Sequence, residues 1–282
     1  MANKAGYSFS NRSARTTTYK NQSFNQTFEQ QAKGEMHDSM NPAKALLRES
    51  RDSEVFPESI PIIAGLDITG SMDHIPAHMI KEGIPTLISF LHERGVKGAA
   101  VMFMGLGDSK YDRAPFQVGQ FESDDEPMDL WLTRTWIEKG GGGNDGESYA
   151  WAWYFAANRC VTDAWEKRGQ KGFIFTVGDD DCHGITSTEF QEVLGINHED
   201  TSAKELYKQA SKKWHVYHFN LPRQWHPNTM AEYMGENLIQ VADYTKIPEL
   251  MAKIIASHAK ISTPTAEAEA NPSSPADTKI TL

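Results

Sequence analysis

The chain has almost no cysteine: Cys160 and Cys182 are the two in 282 residues, far apart and outside any Cys-x-x-Cys spacing. That excludes a disulfide framework and a thiolate zinc site, and it makes a reducing cytoplasm the simplest compartment. Long apolar runs are also missing. No stretch reaches the roughly 18 apolar residues of a membrane span, and residues 1–20 lack the apolar core of a secretory signal. Positive charge is scarce, with 28 Lys and Arg against 38 Asp and Glu, a formal charge of −10. Such a balance disfavours nucleic acid and anionic membrane as partners, and directs attention to proteins and cations. A phosphate-binding loop is absent too. Gly140-Gly141-Gly142-Gly143 is glycine-rich, but no Gly-Lys-Ser/Thr follows and no GxGxxG pattern forms.

What is present is a globular composition, 39% hydrophobic, with ample material for a core. Residues 1–58 are rich in Asn, Gln, Ser and Thr without a sustained period and read as an irregular arm. Its charges before Glu29 are Lys4, Arg12, Arg15 and Lys20, all basic. Such an arm is either a solvated tail or a segment that docks on an acidic surface of this chain or a neighbour. Residues 261–282, a Ser/Thr/Pro/Ala/Glu stretch, predict a disordered tail.

Between them, residues 59–260 alternate short apolar runs with helical patterns. Strands are expected at 60–66, 99–106, 173–177, 214–221 and 237–242. Most are apolar throughout, as strands covered on both faces must be. Ile80, Ile84, Leu87, Ile88 and Leu91 repeat at helical spacing, with a kink expected at Pro85, and residues 147–166 predict one long helix. Residues 116–121 suggest an edge strand on the antiparallel side, followed by a helix over 128–137, and the last helix is expected over 247–259. The fold class is therefore α/β: a doubly wound, mostly parallel sheet with helices on both faces and one antiparallel edge strand.

Ligands of such sheets gather at the carboxyl ends of the strands. There the first strand runs into Asp67-Ile68-Thr69-Gly70-Ser71, three oxygen-bearing side chains at alternate positions. One carboxylate and two hydroxyls make a partial shell for a hard cation that keeps several waters, as Mg2+ does. The bland alternative is a strand-to-helix turn capped by Thr69 or Ser71. A second loop, Gly140 to Ser148, carries Asn144, Asp145, Glu147 and Ser148. Glu147 could equally complement a helix dipole. A third, Gly178-Asp179-Asp180-Asp181-Cys182-His183, ends the strand 173–177, and its acids are either cation-directed or simply solvated. Asp108, Asp112 and Arg113 follow the strand 99–106 on the same sheet edge. His215 and His218 fall on opposite strand faces and so do not share a metal, while Trp151, Tyr154 and Phe155 read as core.

The element Asp67, Thr69, Ser71 resembles the Asp-x-Ser/Thr-x-Ser signature of the metal-ion-dependent adhesion site in von Willebrand factor A-like (VWA) domains. The resemblance covers about residues 60–260. It implies Mg2+, with Mn2+ or Ca2+ as substitutes, held by Asp67, Thr69, Ser71, Asn144 and Asp179. Asn144 aligns where the family has a middle-loop Thr, and Asp179, with Asp180 as fallback, stands for an aspartate displaced by two places. It also implies a non-enzymatic binding module whose protein partner presents Asp or Glu to the cation. Intracellular bacterial or phage relatives of this kind work beside an ATPase or inside an assembly. Two rival readings follow from the residues: a metal-dependent hydrolase using Asp67, Asp179 and Asp180 with His183 as acid or base, and a structural assembly subunit with a degenerate metal site.

Overall fold

The computed structural model describes residues 8–139, 146–221 and 229–258. Eight strands form two sheets. A small parallel pair joins β1 (Arg48–Ser50) to β5 (Cys160–Thr162). The main sheet contains β2 (Ile60–Asp67), β3 (Ala99–Leu106), β4 (Phe116–Val118), β6 (Gly172–Gly178), β7 (Trp214–Asn220) and β8 (Leu238–Gln240). Their order is β4-β3-β2-β6-β7-β8, parallel throughout except for the β3–β4 pair. This is the expected mostly parallel sheet with an antiparallel edge. The edge strand, expected over 116–121, spans only Phe116–Val118; beyond it Gly119 N still bonds Phe103 O, and the chain meets β3 again at the isolated Val101–Glu122 bridge.

Alternation along β2 sends Ile62, Ala64 and Leu66 into one helical layer and Ile63 into the other. The first layer holds the helices His74–His78, Ile84–Glu93, Asp125–Thr133 and Ile247–His258. The second is built on the helix Ala150–Arg159, with Ser187–Leu194 and Ala203–Ala210 beside it. Trp151 and Phe155 of that helix are fully buried and Tyr154 is buried too, as their core reading expects, and Trp153, fully buried, joins them. Each tryptophan removes roughly 4–6 kcal/mol worth of apolar surface from water, before ordering entropy is counted.

Three local expectations need correction. The stretch 147–166 is not one helix: it divides into the helix Ala150–Arg159, the strand β5, and the helix Asp163–Arg168. Val161 and Thr162 are β-branched and find a partner in β1. The Thr162 hydroxyl then accepts from Trp165 N at 3.3 Å and restarts the helix. The helix expected over 128–137 lies at Asp125–Thr133. Residues 1–58 are not an irregular arm in their described part, which contains the helices Phe9–Asn21, Phe24–Thr27 and Gln30–Lys33. Ser8 caps the first, and ion pairs rather than an apolar stripe hold it down. Arg12, 2% exposed, pairs with Asp129; Arg15 pairs with Asp125 and Asp129, and Lys20 with Glu82. Docking on an acidic surface of this chain is the outcome. Residues 261–282 lie outside the described residues.

The kink at Pro85 takes the form of a π-helical turn, Met79–Gly83, between two α-helical pieces. Proline has no N–H to give and its ring crowds the preceding turn, so the wider turn accommodates it. Among the described residues no helix is long and apolar enough to cross a membrane.

Candidate functional site at the carboxyl edge of the sheet

β2 lies between β3 and β6. The connections diverge there, and a crevice opens outside the strand ends. Asp67 closes β2 and is fully buried. Both of its oxygens are engaged. Oδ1 accepts from Thr69 N at 2.9 Å and from the Thr69 hydroxyl at 2.6 Å, while Oδ2 accepts from the Tyr149 hydroxyl at 2.8 Å. Thr69 therefore turns back to the carboxylate and caps nothing, which removes the simple capping explanation for it. Ser71 is exposed, and its hydroxyl donates to Asp179 Oδ2 at 3.2 Å across the crevice. Four of the five residues singled out for a cation, Asp67, Thr69, Ser71 and Asp179, thus come together at the ends of β2 and β6. The fifth, Asn144, lies outside the described residues, as does Asp145.

Glu147 belongs to the same place. Its N–H donates to Asp181 O at 2.8 Å, and its own carbonyl accepts from His183 N at 3.3 Å, which stitches the second loop to the third. Gly146, at φ +131°, makes the turn into this stitch in a region that favours glycine. Ser148 N donates to Gly107 O at 3.2 Å, and its hydroxyl accepts from Ser109 N at 2.9 Å, joining the loop after β3 as well. Asp108, fully buried in that loop, stands 3.5 Å from His183 Nε2 through its Oδ1. Asp180 is buried beside these groups, and Asp181 accepts from the Thr229 hydroxyl at 2.6 Å.

This concentration of acid has an electrostatic cost. Burial raises Asp67 to about 7, partly offset by its hydroxyl and amide donors and increased again by Asp179. Glu147 is raised to about 10, first by burial and then by Asp67, Asp108, Asp112 and Asp180. Glu147 Oε2, Asp108 Oδ2 and Asp179 Oδ1 are buried with no hydrogen-bond partner. Tyr149 was not anticipated as a site residue. Its phenol pKa is raised well above the ordinary value, by burial first and then by Asp67, so it remains a donor. Its ring passes so close to β6 that a Cβ on Gly178 would overlap the hydroxyl, and it packs on the buried His218 at 4.7 Å between centroids. The sequence signal for Tyr149 was its position two residues after Glu147, at the mouth of the next helix.

His215 and His218 do face opposite ways: His215 packs on Phe173 and His258, while His218 bonds Thr176. Arg113 pairs with Glu138 and stacks over Trp136 at 4.7 Å, away from the cluster. Among the described residues no three His, Cys, Asp or Glu side chains stand close enough to hold an ion by themselves.

No known protein family and no curated protein matches the sequence. Solved structures give likenesses of fold. The pilus adhesin SpaC from Lactobacillus rhamnosus GG, in its open conformation, aligns with a TM-score of 0.48 and 11% identity over 74% of this chain and 31% of its own. BatB, a conserved hypothetical protein from Bacteroides thetaiotaomicron, aligns at 0.44 and 16% over 72% of this chain and 100% of its own. A von Willebrand factor type A protein from Catenulispora acidiphila aligns at 0.42 and 12%, over 71% and 43%. The chain spans about a third of the length of the pilus adhesin it resembles. At such identities and scores the likenesses carry no argument about a site. The fold stands on the chain's own sheet order, an α/β sheet of six strands, parallel but for one edge.

Proposed function

We propose that the chain is a divalent-cation-dependent protein-interaction module of VWA type. Asp67, Thr69 and Ser71 hold Mg2+, or Mn2+ or Ca2+ in its place, with Asp179 supporting Ser71. A protein partner, an ATPase or assembly component in the cytoplasm, supplies an Asp or Glu. The observation that carries this reading is the meeting of Asp67, Thr69, Ser71 and Asp179 across the β2–β6 crevice. The donor set suits the group. Hard cations take carboxylate and hydroxyl oxygen and keep waters, so three clustered carboxylates are not required. The buried oxygens of Asp179 and Glu147 that lack donors, and the raised Asp67 and Glu147, are what a positive charge placed among them would relieve. A bound cation would supply an open coordination position for an acidic side chain. The protein's part is to fix Asp67 through Thr69 and Tyr149.

The hydrolase reading has one contact in its favour, His183 beside Asp108, but that pair lies on the β3 side rather than at Ser71. Calorimetric titration of the chelator-stripped chain with Mg2+ and Mn2+ tests the proposal, with Asp67→Asn and Ser71→Ala as comparisons. Saturable uptake that both variants lose while their circular dichroism is unchanged supports it. A folded wild type that takes up neither ion, with or without an acidic peptide, overturns it in favour of an assembly subunit with a degenerate site.

A further inference from the structure

The π-turn at Met79–Gly83 creates a specific shortage. Within it the N–H of Ile84 reaches Met79 O, a five-residue step. The next carbonyl in that frame belongs to Ile80, and its donor would be residue 85. Residue 85 is proline and has no N–H. A buried carbonyl left unmade costs free energy, so a donor must come from elsewhere. It comes from the N-terminal helix: Arg12 donates to Ile80 O through Nη2 while Nη1 pairs with Asp129, and Arg15 holds the same Asp129 at 2.9 Å. A guanidinium can serve a carbonyl and a carboxylate at once because its donors point in fixed, separate directions; an ammonium offers one compact charge.

The two helices bridged in this way lead to the candidate site. His74–His78 begins just after Ser71, and Asp125–Thr133 leads to Lys139 at the edge of the second loop. The same N-terminal segment also touches residues 137–139, which lead into the second loop, and Lys139 there reaches Asp73 of the first. Gln31 Nε2 donates to Ile137 O at 2.7 Å, the Lys139 ammonium lies 4.2 Å from the Phe24 ring centroid, and Lys139 pairs with Asp73 at 2.9 Å. Lys139 adopts φ +59°, the one described non-glycine residue in the left-handed region. Such a conformation persists only where surroundings hold it.

We propose that Phe9–Gly34 is a strap that positions residues 70–73 of the first loop and residues 137–139 beside them, and that Arg12 is its key, filling the acceptor that Pro85 leaves open at Ile80. The cation-binding half of this statement rests on the function proposed above; the strap itself does not.

A double-mutant cycle on the full chain separates the two. Arg12→Lys keeps a charge for Asp129 but lacks the second arm, and raises the unfolding equilibrium constant roughly tenfold. Pro85→Ala restores an N–H in the existing frame, and in that background Arg12→Lys changes the constant about twofold or less. Equal effects in both backgrounds overturn the key. Hydrogen exchange reads the positioning: amides of 70–73 and 138–139 exchange faster in Arg12→Lys and return to wild-type rates in the double variant. Unchanged exchange in Arg12→Lys overturns the strap as a positioning element. Mn2+ affinity, measured on the same four proteins, falls severalfold in Arg12→Lys and recovers in the double variant. Were the wild type to take up no Mn2+, the cation reading would fail, while the cycle and the exchange rates would still judge the strap.

Discussion

Two sets of largely buried acids sit at opposite ends of the main sheet, and they are treated in opposite ways. At the amino end, near the start of β2, Asp163 meets Arg51 and Lys167 and is lowered to about 2, with the Lys167 hydrogen bond as the main cause. Asp52 is held low mainly by Arg168 and also accepts from Ser59 N. At the carboxyl end Asp67 and Glu147 are raised, and the charged groups acting on them are other acids. Acids used to hold the fold together come with cations attached. Acids left to face one another raise the energy of the folded state, and that arrangement reads as provision for something not in the chain.

The comparison can be broken from the paired side first. Arg12→Met leaves Asp129, 2% exposed, to Arg15, which is about a quarter exposed, and should lower stability by about 3–5 kcal/mol in urea unfolding. A loss under about 1 kcal/mol at Asp129, a third paired acid, would mean that pairing with cations does not govern the acids this chain buries. Next in size is the response to cation. Saturation of the wild type at about a hundred times its Kd should add about 2.7 kcal/mol, and Asp67→Asn should abolish the gain. Close behind, Glu147→Gln should stabilise the cation-free chain at pH 8 by about 2 kcal/mol, under the ceiling of about 5 kcal/mol set by full linkage from 4.5 because Asp67 and the neighbouring acids share the cost of the proton.

The sign of that last change follows from proton counting. Folded Glu147 keeps its proton to about 10, whereas the unfolded chain releases it near the ordinary 4.5, so stability falls as pH rises between them. Asp67 acts in the same direction from 3.8 to about 7. Asp163 and Asp52 act oppositely: their contribution is present above 3.8 and is lost as pH falls, for Asp163 towards about 2. The cation-free chain should therefore be most stable at about pH 4–5, and added Mg2+ should move the optimum upward, as thermal scans across pH would show. The smallest effect is expected at Arg51, 42% exposed, where Arg51→Ala should cost under about 1 kcal/mol.

Legibility in the sequence followed the range of the interactions. β2, β3 and β6 were visible because covering both faces of a strand leaves an unbroken apolar run, and β7 because Trp214, Val216 and Phe219 stand out as buried among mostly half-buried neighbours. Asp67, Thr69 and Ser71 were visible because their geometry is set within five residues. The break at Cys160 was hidden: the preceding aromatic run continues a helical pattern, and what ends it is β1, far away in the chain. The helix Phe9–Asn21 was hidden for a related reason. Its buried face is built from Arg12 and its neighbours, and a polar face answered by distant aspartates leaves no apolar period to find. Glu147 could be read as a helix-end charge until the third loop was seen to lie beside it. Tyr149 acquires its role only when β6 brings Gly178 under its ring.

The pairing of Arg12 with Asp129 also sets an order in time. A ribosome adds about 5–20 residues each second, so the first helix leaves the tunnel on the order of ten seconds before its acidic partner has been made. During that interval its basic groups await Asp125 and Asp129, so a helix made well before its acidic partners is among the last elements to find its place.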